Sequence, residues 1–220
     1  MMRTRRALSF ALLAAACSLA GCAVGEGEGS VKSDRLYLKD CWNGPFDLRP
    51  DFFAANPYQD HSLMIRIQRG DNIEEQSDGL LVVVNQLQSV RQKVKDGGGE
   101  ATLKVGLPPG VSPPGVPLVA NPDPPVVSLA LYLHKSCHAQ NATIYSTAGS
   151  ITFRSLFSGD PQEADAEEKL TDATFDATFA DPRQLQGAID PPDPNTDVKS
   201  QVTGNFRFYF QRGQPAQPFQ

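Results

Sequence analysis

Cysteine thiols carry the clearest chemistry in this sequence, and Cys22 stands in the most informative surroundings. Leu19, Ala20 and Gly21 come directly before it, and the two small side chains let a peptidase reach the backbone there. The Cys22 thiol is a nucleophile that can carry a thioether-linked lipid. These residues therefore place a thiol that can be lipidated beside a backbone that a peptidase can reach.

The residues that precede this site have the composition of an export signal. Three arginines form a positive start, and Ala7 to Ala16 is an apolar run interrupted only by Ser9. An apolar run this short cannot cross a hydrocarbon core about 30 Å thick. Residues 1–21 are therefore predicted to be a removable signal peptide.

Leu19 to Cys22 resembles the lipobox of bacterial lipoproteins, which is the site of signal peptidase II. The resemblance implies that Cys22 carries several acyl chains, palmitate among them, and several chains make a stable membrane anchor. Ala23 follows the cysteine, whereas Asp at this position in similar Gram-negative lipoproteins favours the inner membrane. The resemblance thus implies a cell-envelope protein held at the outer membrane by its N-terminal lipid.

Cys41 and Cys137 are the thiols that remain in the exported chain, because Cys17 leaves with the signal and Cys22 is lipidated. Export compartments permit disulfides. Closure of a loop of about 100 residues contributes roughly 4.7 kcal/mol to stability on the chain-entropy model. The sequence predicts a Cys41–Cys137 disulfide.

Several side chains are of metal-ligating types, but their arrangement does not favour a metal. His134, Cys137 and His138 could bind zinc, although a Cys137 paired with Cys41 is not a ligand. Two acidic groups could collect calcium: Asp160, Glu163, Asp165, Glu167 and Glu168 in one, Asp190, Asp193, Asn195 and Asp197 in the other. Neither has the glycine of a calcium loop at its sixth position. We expect solvated loops there and no metal or other cofactor.

No motif for a nucleophilic serine, a phosphate-binding loop or a zinc protease occurs in the chain, so no catalytic residue is predicted. Aromatic residues are concentrated between Cys41 and Tyr58. Trp42 and Tyr58 could offer stacking surfaces to a sugar or a partner protein, and core packing is the alternative. Binding is therefore the favoured class of function.

The charge of the chain excludes one kind of partner. Its formal net charge is -5, and removal of residues 1–21 takes away three arginines and no acids, which leaves about -8. No block of basic residues occurs after the signal. These features argue against nucleic-acid binding, which draws on clustered Lys and Arg.

Most of the chain alternates between apolar and polar residues, which is typical of strands with one buried face. The pattern is clearest from Val202 to Gln211 and recurs around Leu63 to Ile67 and Ala173 to Phe179. Gln86 to Lys95 fits either a helix or a strand followed by a turn at Gly97 to Gly99. The sequence predicts an all-β fold, an antiparallel β-sandwich.

The expected organisation has four parts: a signal peptide at 1–21, a Gly-rich tether at 22–34, one β-sandwich domain at 35–213 and a polar tail at 214–220. Residues 106–125 contain eight prolines, which exclude a regular interior strand. This segment is predicted to be a long surface loop, either functional or disordered.

Two strands end alike, in Ile67-Gln68-Arg69-Gly70 and in Phe210-Gln211-Arg212-Gly213. Together with Gly149 to Gly159, Asp172 to Pro182 and Gly204 to Phe219, this layout resembles uncharacterised envelope lipoproteins of delta-proteobacterial and myxobacterial type. That family supplies no catalytic residues. We expect a binding or structural component of the envelope whose partner is the membrane, an envelope protein or a glycan, and the alternative is an envelope hydrolase or a carbohydrate-active accessory domain.

Overall fold

The computed structural model describes residues 27–58, 61–70, 77–111, 125–137, 142–181, 184 and 198–211. The lipobox, the proline-rich residues 112–124, His138, the acidic group from Asp190 to Asp197 and the tail 214–220 lie outside these ranges. What the sequence predicts for them stays a prediction.

The described chain is mostly strand, which confirms the predicted β class. The elements are β1 (Gly27–Leu38), β2 (Trp42–Leu48), β3 (Phe52–Tyr58), β4 (Ser62–Gln68), β5 (Asp78–Val84), α1 (Leu87–Asp96), β6 (Ala101–Gly106), β7 (Val127–Leu133), β8 (Thr143–Ser155), α2 (Ala166–Lys169), β9 (Leu170–Ala180) and β10 (Lys199–Tyr209). No helix within the described ranges has the length and apolar character needed to cross a membrane.

These strands form a single mixed sheet that curls into a half-barrel, in the order β2-β1-β10-β9-β8-β6-β7-β5-β4-β3. Neighbours pair in antiparallel fashion, except that β6 and β7 pair in parallel at Val105↔Val127 and Gly106↔Ser128. The sequence predicts separate antiparallel sheets, and the structure has one continuous mixed sheet in their place.

Strand β8 explains why the sheet is continuous. Its 13 residues change neighbours along the strand, because the first part pairs with β7 and the later part with β6. A register shift between Ser146 and Ala148 lies between the two parts, and Gly149 follows it at a φ of 122°, which favours glycine. Alternation along a sequence does not reveal a change of partner within one strand.

The inner face of the half-barrel holds the hydrophobic core. Its members include the inward residues of the strands that alternation predicts: Leu63, Ile65 and Ile67 of β4, Ala173, Phe175, Ala177 and Phe179 of β9, and Val202, Phe206 and Phe208 of β10. The period of two therefore predicts correctly which residues of these strands face the core.

Of the two interpretations of Gln86 to Lys95, the structure has the helix. Leu87, Val90 and Val94 of α1 are spaced three and four apart and lie buried on one side of it. The turn follows at Gly98 and Gly99, whose φ angles of 73° and 97° suit glycine.

The predicted tether is wrong for residues 27–34, because these residues belong to β1. The pairing of β1 with β10 runs from Gly27↔Phe208 to Lys32↔Thr203. Gly27 and Gly29 face inward, where the Phe53 ring leaves no room for a larger side chain at Gly27 and the Asn205 carbonyl oxygen leaves none at Gly29. Glycine at positions 27 and 29 is therefore explained by close packing. The segment nevertheless has the composition of a flexible linker, which is why the sequence predicts a tether.

A disulfide joins Cys41, in the turn between β1 and β2, to Cys137, in the turn after β7. The two Cα atoms are 5.8 Å apart, and 96 positions separate the residues in the sequence. Since β1 and β7 are not neighbours in the sheet order, the bond links two distant parts of the half-barrel.

Candidate functional site

The outward residues of β6, β8, β9, β10 and β1 form a polar surface, which we name the outer face. One row of hydrogen-bonding side chains crosses all five strands; it consists of Ser30, Asn205, Thr174, Thr152 and Thr102. The hydroxyl oxygens of Thr102 and Thr152 lie 2.9 Å apart and share a hydrogen bond. The neighbouring residues along each strand point into the core, and side chains of a strand alternate between its faces. The side chains of this row therefore point toward solvent.

A second row, two residues further along each strand, carries alternating charges, and we name it the charge row: Glu28, Arg207, Asp172, Arg154 and Glu100. Arg207 Nε lies 3.9 Å from Asp172 Oδ2, and Arg154 Nη1 lies 3.6 Å from Oδ1 of the same carboxylate. Arg154 Nε is also 3.9 Å from a carboxylate oxygen of Glu100. Glu28 lies opposite Arg207 in the pairing of β1 with β10.

The first cavity of the outer face, of about 480 Å³, lies between these two rows. Its charged lining consists of Glu28, Asp172, Arg154 and Arg207, so acids and bases balance, and Thr174 and Asn205 add neutral hydrogen-bonding groups. Side chains of this kind suit a polar ligand with both donors and acceptors. The lining contains no histidine or cysteine for nucleophilic or zinc chemistry.

The second cavity, of about 300 Å³, lies where β1 and β10 separate, and we name it the β1–β10 cleft. Their described pairing ends at Lys32↔Thr203, and β1 has a register shift between Ser33 and Leu36. Beyond this point the Tyr37 backbone N–H donates to the Ser200 hydroxyl at 2.8 Å. Three cations line the cleft, together with a single carboxylate: Lys32, Arg35 and Lys199 with Asp34.

A buried polar network lies on the other half of the sheet. Gln68 is fully buried, although its alternating strand predicts that it faces water. The Tyr132 hydroxyl donates to Gln68 Oε1 at 2.8 Å, and Gln68 Nε2 donates to the Gly70 carbonyl at 2.6 Å. Burial raises the pKa of Tyr132, while the nearby Arg66 opposes this shift, and burial lowers the pKa of Arg66.

Asp78 fixes the turn that follows β7. Its Oδ1 accepts from the backbone N–H groups of Lys135 and Ser136 at 2.9 and 3.0 Å, and its Oδ2 accepts from the Ser136 hydroxyl at 2.5 Å. Because Cys137 comes next, this carboxylate positions the disulfide. These bonds give Asp78 a structural use.

The two aromatic residues predicted to contact a ligand have different surroundings. Trp42 packs edge-on against Phe46 with ring centroids 5.9 Å apart, and its indole N–H donates to the Gly44 carbonyl at 3.2 Å. Tyr58, at the end of β3, is 44% exposed. No ring contact in the described part of the chain brings Trp42 and Tyr58 together.

Several of the potential metal ligands have other partners in the described part of the chain. Cys137 is bonded to Cys41. In the acidic loop, Asp160 and Glu163 accept hydrogen bonds from nearby backbone N–H groups, and Asp165 accepts from the Glu167 N–H at the start of α2. Glu168 forms ion pairs with Arg91 and Lys95 of α1. Within the described ranges no group of three potential ligands converges.

The sequence does not predict either cavity, because the lining of each combines residues of strands that are distant in the sequence. Thr174 and Asn205, for example, are adjacent across β9 and β10 but 31 positions apart in the sequence. The available signal is that polar residues alternate with core residues along both strands. This alternation indicates a solvent-exposed face, but it does not give the strand register that brings the lining residues together.

Comparison with known proteins adds no relative to this geometry. No family model, no curated protein and no solved structure matches the chain.

Proposed function

We propose that the protein is an exported lipoprotein, anchored at the outer membrane through Cys22, that serves as a binding or assembly component of the bacterial envelope. The observation that carries the binding role is the outer face, where two rows of polar side chains cross the sheet and border the first cavity, and the β1–β10 cleft lies further along β1 and β10. The order Leu19, Ala20, Gly21, Cys22 supports the anchor. The partner is an envelope protein or a glycan.

The polar groups of the first cavity support the binding of a polar ligand. Asp172 lies between the guanidinium groups of Arg154 and Arg207. Together with Thr174 and Asn205, these groups offer hydrogen-bond donors and acceptors to a ligand. Tyr58 is a further proposed contact, because its ring is exposed, whereas Trp42 is engaged with Phe46.

Site-specific photocrosslinking in intact cells tests the binding role. A photoreactive residue replaces Thr174 in the first cavity, and the same residue at the exposed Gln92 of α1 is the matched control. We expect a discrete crosslinked product from position 174 and none from position 92. Equal products from both positions would contradict a role for the outer face.

The anchor is tested separately with Cys22→Ala. We expect the mature wild-type protein to sediment with membranes and to carry acyl chains on its first peptide by mass spectrometry. The variant should lack the lipid and leave the membrane fraction. A variant that is unlipidated and still fully membrane-bound would overturn the proposed anchor.

A further inference from the structure

We infer that the β1–β10 cleft is a binding site for an oxyanion, either a phosphate or a carboxylate, carried by an envelope glycan. The inference deepens the proposed binding role and rests on it for the source of the ligand. Its basis is the charge of the cleft, the separation of the two strands and an unsatisfied hydroxyl group. The charge and the hydroxyl group can each be tested by substitution.

The charge of the cleft is opposite to that of the protein. The whole chain has a formal net charge of -5, whereas the three cations and one carboxylate that line the cleft give a net charge of +2. In the first cavity two acids and two bases cancel. The cleft is therefore the cavity of the outer face whose field favours an anion.

The cations come from both sides of the opening between the strands. Lys32 and Arg35 extend from β1, and Lys199 extends from β10. Arg35 Nε is 3.4 Å from the side-chain oxygen of Asn43, and Lys32 Nζ is 3.8 Å from Asp47 Oδ2. These long contacts leave further donors of both cations for a ligand, since a guanidinium has five N–H groups and an ammonium three.

Ser33 is the second observation, independent of charge. It lines the cleft, is 6% exposed, and its hydroxyl is buried without a hydrogen-bond partner in the described structure. A buried hydroxyl without a partner costs stability, and most such groups in native proteins are satisfied. An oxyanion in the cleft would supply the missing acceptor.

A glycan is the favoured carrier of the anion. The acidic chain is repelled by a continuous anionic lipid surface, whereas a single charged group on a polymer can enter the cleft. The neighbouring row of Thr and Asn side chains offers hydrogen bonds to the hydroxyl groups of adjoining sugar units. Binding to a membrane is therefore an outcome that the test must separate from binding to a glycan.

The test measures binding of inorganic phosphate and of glucuronate to the full-length protein by titration calorimetry at constant ionic strength. The cleft variant is Arg35→Gln with Lys199→Gln. The matched control is Arg69→Gln with Lys104→Gln, because it removes the same charge from exposed residues outside the cleft. We expect the cleft variant to bind at least about tenfold more weakly and the control to bind as the wild type does.

Ser33→Ala separates binding from folding. We expect this variant to unfold at the same temperature as the wild type or higher, because it removes an unsatisfied hydroxyl, and to bind the anion several-fold more weakly. Lys32→Gln keeps the test informative if the double variant does not fold. Equal anion affinity in the wild type, Ser33→Ala and Lys32→Gln would overturn the oxyanion site.

Vesicles of phosphatidylcholine with and without phosphatidylglycerol distinguish the two carriers. Cleft-dependent binding of phosphate or glucuronate without binding to the anionic vesicles supports a glycan, and cleft-dependent binding to the vesicles overturns it. If position 174 crosslinks in cells but neither anion binds, the oxyanion site fails while the binding role stands. If the anions bind and no crosslink forms, the binding role of the outer face in the envelope fails.

Discussion

Phe53 of β3 packs against Gly27 of β1, although these strands stand far apart in the sheet order. A β-carbon on Gly27 would lie 2.5 Å from Cδ2 of the Phe53 ring, closer than real β-carbons approach other atoms. The same ring lies 5.7 Å from that of Phe208, centroid to centroid. The curl of the sheet thus brings β3 onto the inner side of the β1–β10 pair.

Gly27→Ala should therefore destabilise the fold. We expect a loss of about 1–3 kcal/mol in the free energy of unfolding, because the added methyl group overpacks the contact with Phe53. Urea denaturation measures the change. Gly44→Ala is the control, since nothing lies within 4 Å of a β-carbon there, and its effect should stay within about 0.5 kcal/mol. Equal effects of the two substitutions would contradict the contact.

Local alternation predicts which faces of β4, β9 and β10 are buried, because side chains of a strand alternate between its faces. The sequence does not predict that Gly27 is in a strand, since the ring that explains this glycine is 26 positions away. The sequence likewise does not predict that Gln68 is buried, because its hydrogen-bond partner Tyr132 lies on a different strand, β7. Interactions between distant strands are therefore what sequence reasoning missed.

The candidate site was predictable to a smaller extent. The pairing of Cys41 with Cys137 follows from the predicted export signal, which leaves these two thiols, and the structure joins them. The β1–β10 cleft, however, depends on the register shift between Ser33 and Leu36, which carries no proline or glycine as a signal. The outer face likewise depends on the register of five strands.

Removal of the disulfide should lower stability without changing the fold. We expect Cys41→Ala with Cys137→Ala to lose about 2–4 kcal/mol, because the bond restricts the unfolded chain over 96 positions. Urea denaturation of the variant and of the reduced wild type should give the same loss. Free thiols at both positions in nonreduced protein purified from cells, found by peptide mapping, would show that the bond does not form.

Asp78→Ala should destabilise the turn that carries Cys137. The substitution leaves two backbone N–H groups and the Ser136 hydroxyl without their acceptor, and we expect a loss of about 2–3 kcal/mol. Asp96→Ala, at the exposed end of α1, is the control and should change the free energy of unfolding by about 0.5 kcal/mol or less. Similar losses from both variants would show that Asp78 has no special role.

The charge row should contribute little to stability and respond to salt. Arg154 and Arg207 are about half exposed, so Asp172→Asn should cost about 1 kcal/mol or less. A double-mutant cycle with Arg207→Gln measures the coupling energy, which we expect to disappear at about 1 M salt. Coupling that persists at high salt would mean that the pair is more strongly shielded from solvent than its exposure indicates.

The buried Tyr132 should make the free energy of unfolding depend on pH in the alkaline range. Burial raises the pKa of Tyr132 in the folded protein, so its neutral form is favoured by folding. This contribution is fully present below the unfolded pKa of about 10 and is lost as the pH rises through the folded value. The free energy of unfolding should therefore begin to fall above about pH 10, as urea denaturation at a series of pH values would measure.

Tyr132→Phe should remove that part of the pH dependence. At neutral pH the variant should be about 1 kcal/mol less stable, because Gln68 loses the hydroxyl that donates to it. Tyr209→Phe is the control, since Tyr209 is 42% exposed, and it should leave the alkaline profile as in the wild type. If the profile of Tyr132→Phe falls as steeply as that of the wild type, the alkaline loss belongs to another group.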